Sequence, residues 1–501
     1  MNIKDIRLGA PAAERDIKLD PARGVDFKHG LMEYFVESDA YQSVERGVTK
    51  ILIGNRGSGK SAIFKVLAAR ERKLGTIVIE IAPDTHSYKQ VHIALSKETP
   101  RNWGVLGAYS VAWQHVLYVA AMKELATRAT NIKTKAMKRI KDYIQAHHDQ
   151  SKSGIVSQLL AFAHGVEELK VGGYGLSLSL KTRQLDNLYK LQELEGLLPR
   201  LAEVCDTKKI IILVDELDTG WDGSEDAKHF VAGLFAAAMS VNKLSPNLWV
   251  MISLRRELYD NIPEIYADAQ KVRDLLRYIE WDEAGLKTLI DKRIRAALAL
   301  AHPGQPAPND PWTAFFAANM ADGGCATLQY ILDRTLYRPR ELIQFCNQSI
   351  EKAPIGAKLI DGAAVLSAEP EYSRDRAQDI AAEYQWEYHG IDEVLETFRG
   401  ASYRFSRKDL ELHCLQLITG DKRCLKAQEW LCAMTEDKLI RVLWRVGFLR
   451  ACPDTARGLT HFAGGGYLGP HQLSTLNLES AKEFQIHEMF HVHYGVAVTD
   501  Q

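Results

Sequence analysis

Paired cysteines, long apolar runs and a surplus of either charge are all missing from this chain of 501 residues. Its seven cysteines, Cys205, Cys325, Cys346, Cys414, Cys424, Cys432 and Cys452, are scattered, with no CxxC pair and no zinc-knuckle spacing. That pattern argues against a disulfide framework or a cysteine-rich metal module and predicts reduced thiols. No segment reaches the roughly 18 uninterrupted apolar residues of a membrane span; the nearest, "GAYSVAWQHVLYVAAM", carries Gln114 and His115 in its middle. The opening "MNIKDIRLGAPAAERDIKLD" is charged throughout and lacks the apolar core of a signal peptide. With 63 basic and 64 acidic residues the net charge is -1, so any nucleic-acid partner must meet a local patch rather than a global field. These absences predict a soluble, cytoplasmic protein with no membrane partner.

What is present is globular, 46% hydrophobic and 25% charged, and its length predicts two to four domains. Residues 1–30 read as a polar leader. Residues 31–278 read as an α/β core domain, in which short β-branched runs alternate with helical patterns from Thr49 to about Tyr278, the signature of a parallel sheet covered by helices. The strands are expected at "KILIG" (50–54), "TIVIEIA" (76–82), "IIILVDE" (210–216) and "LWVMISL" (248–254). Between the second and third, 104–204 reads as a mostly helical insertion ending in "VGGYGLSLSLK", a small hairpin or loop. Residues 279–375 read as a helical lid. Residues 376–501 read as a mixed domain whose "VGFLRA" and "GGGYLG" could be strands of a winged helix.

"ILIGNRGSGKSAIF" carries the sharpest signal. Gly54, Asn55, Arg56, Gly57, Ser58, Gly59, Lys60 and Ser61 satisfy G-x-x-x-x-G-K-[ST] between an expected strand and an expected helix, the context that the P-loop pattern requires. Glycines let backbone N–H groups wrap a phosphate, and the helix N-terminus adds positive potential. Lys60 would reach the β and γ phosphates of ATP, and Ser61 would ligate Mg²⁺. "KKIIILVDELD" supplies Asp215 as a carboxylate able to hold Mg²⁺ through a water and Glu216 as a group able to polarise an attacking water. A glutamate beside the metal aspartate favours hydrolysis over transfer to an acceptor. "NLWVMISLRREL", expected beside the Asp215 strand, brings Ser253 to its end as a phosphate sensor, with Arg255 and Arg256 beyond. "TLYRPRELIQFCNQSI" sets Arg338 and Arg340 at a helix start in the lid, where either could contact the nucleotide.

The order "GNRGSGKS", "VDELD", "ISLRREL", "YIEWDEAGLKTLIDKRI", "YRPRELIQFCN" resembles a bacterial family of P-loop ATPases related to the STAND and ORC/Cdc6-type AAA+ proteins. The resemblance covers most of the chain. It implies an additional-strand ATPase core, a helical lid, a C-terminal winged-helix-like domain, and ATP-driven conformational change or self-assembly. Members of this broad group are frequent in antiphage defence, where a partner effector does the damage.

Three other signals compete with this one. "HEMFH", His487 to His491, matches H-E-x-x-H, but Phe484, Ile486, Met489 and Phe490 around it fit a packed element better than a zinc site. His147, His148 and Asp149 read as a solvated turn. Basic faces at Lys133, Lys135, Lys138, Arg139 and Lys141, and across 401–450 with ten basic against six acidic residues including Arg404, Arg407, Lys408, Lys422, Arg423 and Lys426, could touch DNA or RNA. The expectation is therefore an ATPase switch with a protein partner or a homo-oligomeric state. Its rivals are a nucleic-acid-stimulated motor and a nucleotide-stabilised scaffold with little turnover.

Overall fold

The computed structural model describes residues 6–13, 30–82, 105–129, 131–147, 191–218, 221, 223–260, 269–302, 304–320, 324–452, 466–472 and 476–497. The chain forms two compact units, one of Met1–Val36, Arg56–Ser58 and Glu280–Gln501, the other of Glu37–Asn55 and Gly59–Ile279.

The second of these is an α/β unit. Five strands, β1 (Ile51–Gly54), β2 (Ile77–Ile81), β3 (Ile210–Val214), β4 (Leu248–Arg255) and β5 (Leu276–Tyr278), lie in the order β2-β3-β4-β1-β5, and every pairing is parallel. β1 and β3 are buried at each residue, as their unbroken apolar runs require when helices cover both faces of a parallel sheet. The four expected strands are there. β5 is the addition, a three-residue edge strand too short and too polar to show a period.

The helices Val105–Arg128, Lys135–His147 and Leu191–Cys205 from the 104–204 segment share this unit's core, where Trp113, Leu117, Ile140 and Leu201 are buried together with Ile210 and Ile212 of β3. The Val105–Arg128 helix lies so close to Glu225–Asn242 that a Cβ on Gly233 would stand 2.5 Å from Tyr109 Cβ. Trp113 donates its indole N–H to the Phe230 carbonyl at 3.1 Å. The "VGGYGLSLSLK" stretch lies outside the described residues, as do His148 and Asp149.

The other unit is mainly helical. Glu283–Ala301 begins at Asp282, whose carboxylate accepts the Gly285 N–H at 2.7 Å, an ordinary N-cap. Pro339–Lys352 opens with proline at its first position, where the missing N–H costs nothing. Gly362–Tyr384 runs unbroken through residue 376. Leu286, Ile290, Phe345, Tyr372, Phe398 and Phe448 belong to one buried core. Three short antiparallel strands, β6 (Arg404–Ser406), β7 (Leu449–Cys452) and β8 (Glu483–Ile486), lie in the order β6-β8-β7. β7 comes from the "VGFLRA" run, while "GGGYLG" contributes Leu468, bridged to Ala451. Among the described residues no helix is long and apolar enough to cross a membrane.

Candidate functional site

β1 ends at Gly54, and the chain turns through the glycine-rich loop into the helix Lys60–Lys73. Gly57 has φ 78° and Gly59 φ 103°, left-handed values that glycine takes without a Cβ penalty. A Cβ on Gly57 would lie 2.9 Å from Arg340 Cβ, whereas one on Gly59 would meet nothing within 4 Å. The helix has no side-chain cap at Gly59, so its first N–H groups are left for another acceptor, with the positive end of the helix dipole behind them. Lys60 folds back and donates its ammonium to the carbonyls of Gly54 at 2.8 Å and Asn55 at 3.0 Å. Burial of that ammonium pulls its pKa down to about 8, against the opposing pull of Asp215, Glu257 and Asp218.

Asp215 follows the last residue of β3 and donates its backbone N–H to Ile81. Glu216 then adopts φ 59°, a left-handed conformation uncommon for a residue with a side chain, and its N–H donates to Asp215 Oδ1 at 2.9 Å. β4 pairs Ser253 with Leu52 and Ile252 with Val214, so one step beyond Val214 brings Asp215 alongside Ser253. Ser253 is 1% exposed and its hydroxyl has no hydrogen-bond partner among the described residues. Such a buried orphan calls for an explanation. Arg255 pairs in register with Gly54, at the root of the loop, and its guanidinium is ion-paired to Asp218. Asp215 and Arg255 both lie within electrostatic reach of Lys60. Asp218 and Glu257 also act on Lys60, and the sequence pattern does not single them out although each follows a motif residue within three positions.

Arg338 and Arg340 part company. Arg338 is the N-cap residue of Pro339–Lys352 and is only 7% exposed. It donates to Glu383 at 2.9 Å and lies 3.6 Å from Glu341; burial raises the Glu341 pKa against the lowering effect of Arg338 and Arg376. Arg340, two residues on, donates its backbone N–H to the Gly57 carbonyl at 3.3 Å. Arg56, Arg338, Arg340 and Arg376 line one cavity with Glu341, Asp379 and Glu383. Ser58 is 4% exposed, and its carbonyl accepts the indole N–H of Trp281 at 2.8 Å.

Two other sequence signals resolve differently from a metal site. His487 caps a 3-10 turn over Glu488–Phe490, its Nδ1 accepting the Met489 N–H, and His491 donates Nε2–H to the Ile486 carbonyl at 2.7 Å. The two imidazoles therefore do not share one helical face. Among the described residues there is no cluster of three or more His, Cys, Asp or Glu able to hold a metal ion. Five of the ten basic residues of 401–450 stand in ion pairs: Arg407 with Glu411 and Asp437, Lys426 with Glu393, Arg441 with Glu479, Arg445 with Glu387, and Arg450 with Glu488. Lys133, Lys135, Lys138 and Arg139 are exposed.

Residues 284–381 match the FunZ-associated C-terminal helical domain, so Arg338, Arg340 and Arg376 lie within the matched helices. Over 387 residues the chain is 24% identical to the "Putative transposon gamma-delta 80.3 kDa protein" of Escherichia coli (strain K12), covering 74% of this chain and 52% of that protein. The chain spans about half the length of this curated relative.

Proposed function

We propose that this chain is an Mg²⁺-dependent ATPase of the P-loop, additional-strand type that works as a molecular switch in the cytoplasm. The observation that carries the reading is the loop 54–61. It leaves a buried parallel strand, turns on two left-handed glycines and enters an uncapped helix, while its lysine lies within the electrostatic reach of Asp215. The strand order supports it as well, since β4 separates the loop strand β1 from the Asp215 strand β3. In this reading the N–H groups of the loop bind the phosphates and Lys60 exchanges its two carbonyl partners for phosphate oxygens.

The residues present fit a hydrated Mg²⁺. A hydroxyl at Ser61 and one carboxylate at Asp215 are what a metal shared with nucleotide phosphates needs, rather than an all-protein cage. When bound, the ion would neutralise phosphate charge. Glu216 would accept the proton of the attacking water as ADP and phosphate separate. Ser253 would offer its orphaned hydroxyl to the terminal phosphate, and Arg255 its guanidinium. Arg340, whose backbone N–H meets the Gly57 carbonyl at the loop tip, is the lid arginine suited to answer the nucleotide.

The succession β6, the helices Arg407–Ile418, Gln428–Leu431 and Glu436–Arg445, then β7 and β8 supports reading this segment as a winged-helix-like domain. Half of its cations, Arg407, Lys426, Arg441, Arg445 and Arg450, are already held in ion pairs, which favours contact with a protein partner or a second copy over a grip on phosphates. The ATPase would report its state through that surface, in antiphage defence if an effector partner is present. A second reading, nucleic-acid-stimulated turnover, is favoured by one feature: the exposed face of Lys133, Lys135, Lys138 and Arg139. A relative named for a transposon makes DNA the first nucleic acid to test.

Phosphate release by wild type, Lys60→Ala and Glu216→Gln, with and without DNA or RNA, separates the readings. Basal turnover lost in both variants supports the switch. Strong stimulation by nucleic acid supports the motor. Negligible turnover with an ATP-dependent change in particle size points to a scaffold.

A further inference from the structure

Asp218 has no assigned role, yet it is the ion-pair partner of Arg255. We propose that Asp218 is a positioning residue that holds the Arg255 guanidinium toward the terminal phosphate, so that the pair, rather than Arg255 alone, distinguishes a triphosphate from a diphosphate. The inference rests on the nucleotide reading of the loop.

The geometry begins with the sheet. Arg255 closes β4 opposite Gly54, so its side chain starts from the root of the glycine-rich loop. Asp218 stands three residues past Asp215, at the outgoing end of β3, and its carboxylate reaches Arg255 Nη2. Both side chains are 22% exposed, too enclosed to be dismissed as a solvent-screened surface pair. A guanidinium has five donors in a planar fork. One carboxylate at Nη2 leaves other N–H groups for a second anion and fixes the plane in which they lie. An arginine already fixed avoids the rotamer entropy that a free one gives up when it binds. The same two side chains act on Lys60, which sets the pair within the field of the loop. The alternative role for Asp218 is to tie down its own turn, where its carbonyl accepts the Trp221 N–H at 3.2 Å.

A double-mutant cycle distinguishes these roles. Dissociation constants for MgADP and for a non-hydrolysable Mg·ATP analogue are measured on wild type, Asp218→Asn, Arg255→Gln and the double variant, with thermal melting as a folding control. Each single change is expected to cut the preference for the triphosphate about tenfold, the value of one charge-assisted hydrogen bond, and to leave ADP binding in place. The double variant should be no worse than the poorer single, because the two residues act as one unit. Asp218→Glu should restore part of the preference, and Arg255→Lys, which keeps the charge and loses the fork, should not. Multiplying losses in the double variant, equal weakening of both nucleotides by Asp218→Asn, or tighter triphosphate binding by that variant would each overturn the positioning role. Wild type binding neither nucleotide would overturn the site reading itself, a different result from any of these.

Discussion

Trp281 donates its indole N–H to the carbonyl oxygen of Ser58 at 2.8 Å, and Arg340 donates its backbone N–H to the carbonyl of Gly57 at 3.3 Å. A trans peptide points its carbonyl and the following N–H in opposite directions. Fixing these two carbonyls therefore fixes the N–H groups of Ser58 and Gly59, which are donors that a phosphate would use. Trp281→Phe removes the first anchor and keeps the ring. It should cost about 1 kcal/mol of stability and weaken nucleotide binding severalfold. In wild type, indole emission should change on addition of MgATP, and Trp281→Phe should lose most of that change.

The depressed pKa of Lys60 sets a pH signature. In the proposed site Lys60 would hold phosphate through its ammonium form, so ATP affinity should fall as pH rises through about 8. Arginine stays charged over this range, and Lys60→Arg should flatten the profile. Stability moves the other way. Between about 8 and the ordinary lysine value of 10.5, the unfolded chain keeps a proton that the folded chain has released, so this residue's contribution to stability rises with pH. The difference in melting temperature between wild type and Lys60→Met, followed from pH 7 to 10, reads that contribution apart from other titrating groups.

Gly57 and Gly59 both have positive φ, but only Gly57 is crowded. Gly59→Ala should cost about 1 kcal/mol from backbone strain alone. Gly57→Ala adds a 2.9 Å approach to Arg340 Cβ and should melt at the lower temperature of the two. Thermal denaturation of both variants checks the order.

Arg338 and Arg340 should separate in their effects. Arg338→Ala leaves Glu383 buried without its 2.9 Å partner, and breaking a buried pair from one side costs about 3–5 kcal/mol. Arg340→Ala should leave the melting temperature nearer to wild type and weaken ATP binding instead. Equal losses of stability in the two variants would contradict the division of roles drawn here.

The sheet was legible because its strands are apolar runs bounded by turn residues, and a run such as "IIILV" has few other uses. The loop's path was legible for a different reason, as Gly57 and Gly59 stand where the backbone takes left-handed values between a strand and a helix. β5 was not legible, because "LRY" carries one apolar residue beside an arginine. Nor could spacing tell Arg338 from Arg340. What separates them is Glu383, 45 residues downstream and brought near only when the helices pack. Asp218 stood inside the quoted "VDELD", yet nothing local says that its partner lies at the end of β4.

The most direct test of the central claim is the rate of phosphate release from MgATP by wild type and Glu216→Gln, with ATP affinity measured on the same samples. The account predicts steady turnover in wild type and a loss of about 10²-fold or more in Glu216→Gln, with ATP still bound. Unchanged turnover in Glu216→Gln would contradict it, as would normal ATP binding by Lys60→Ala.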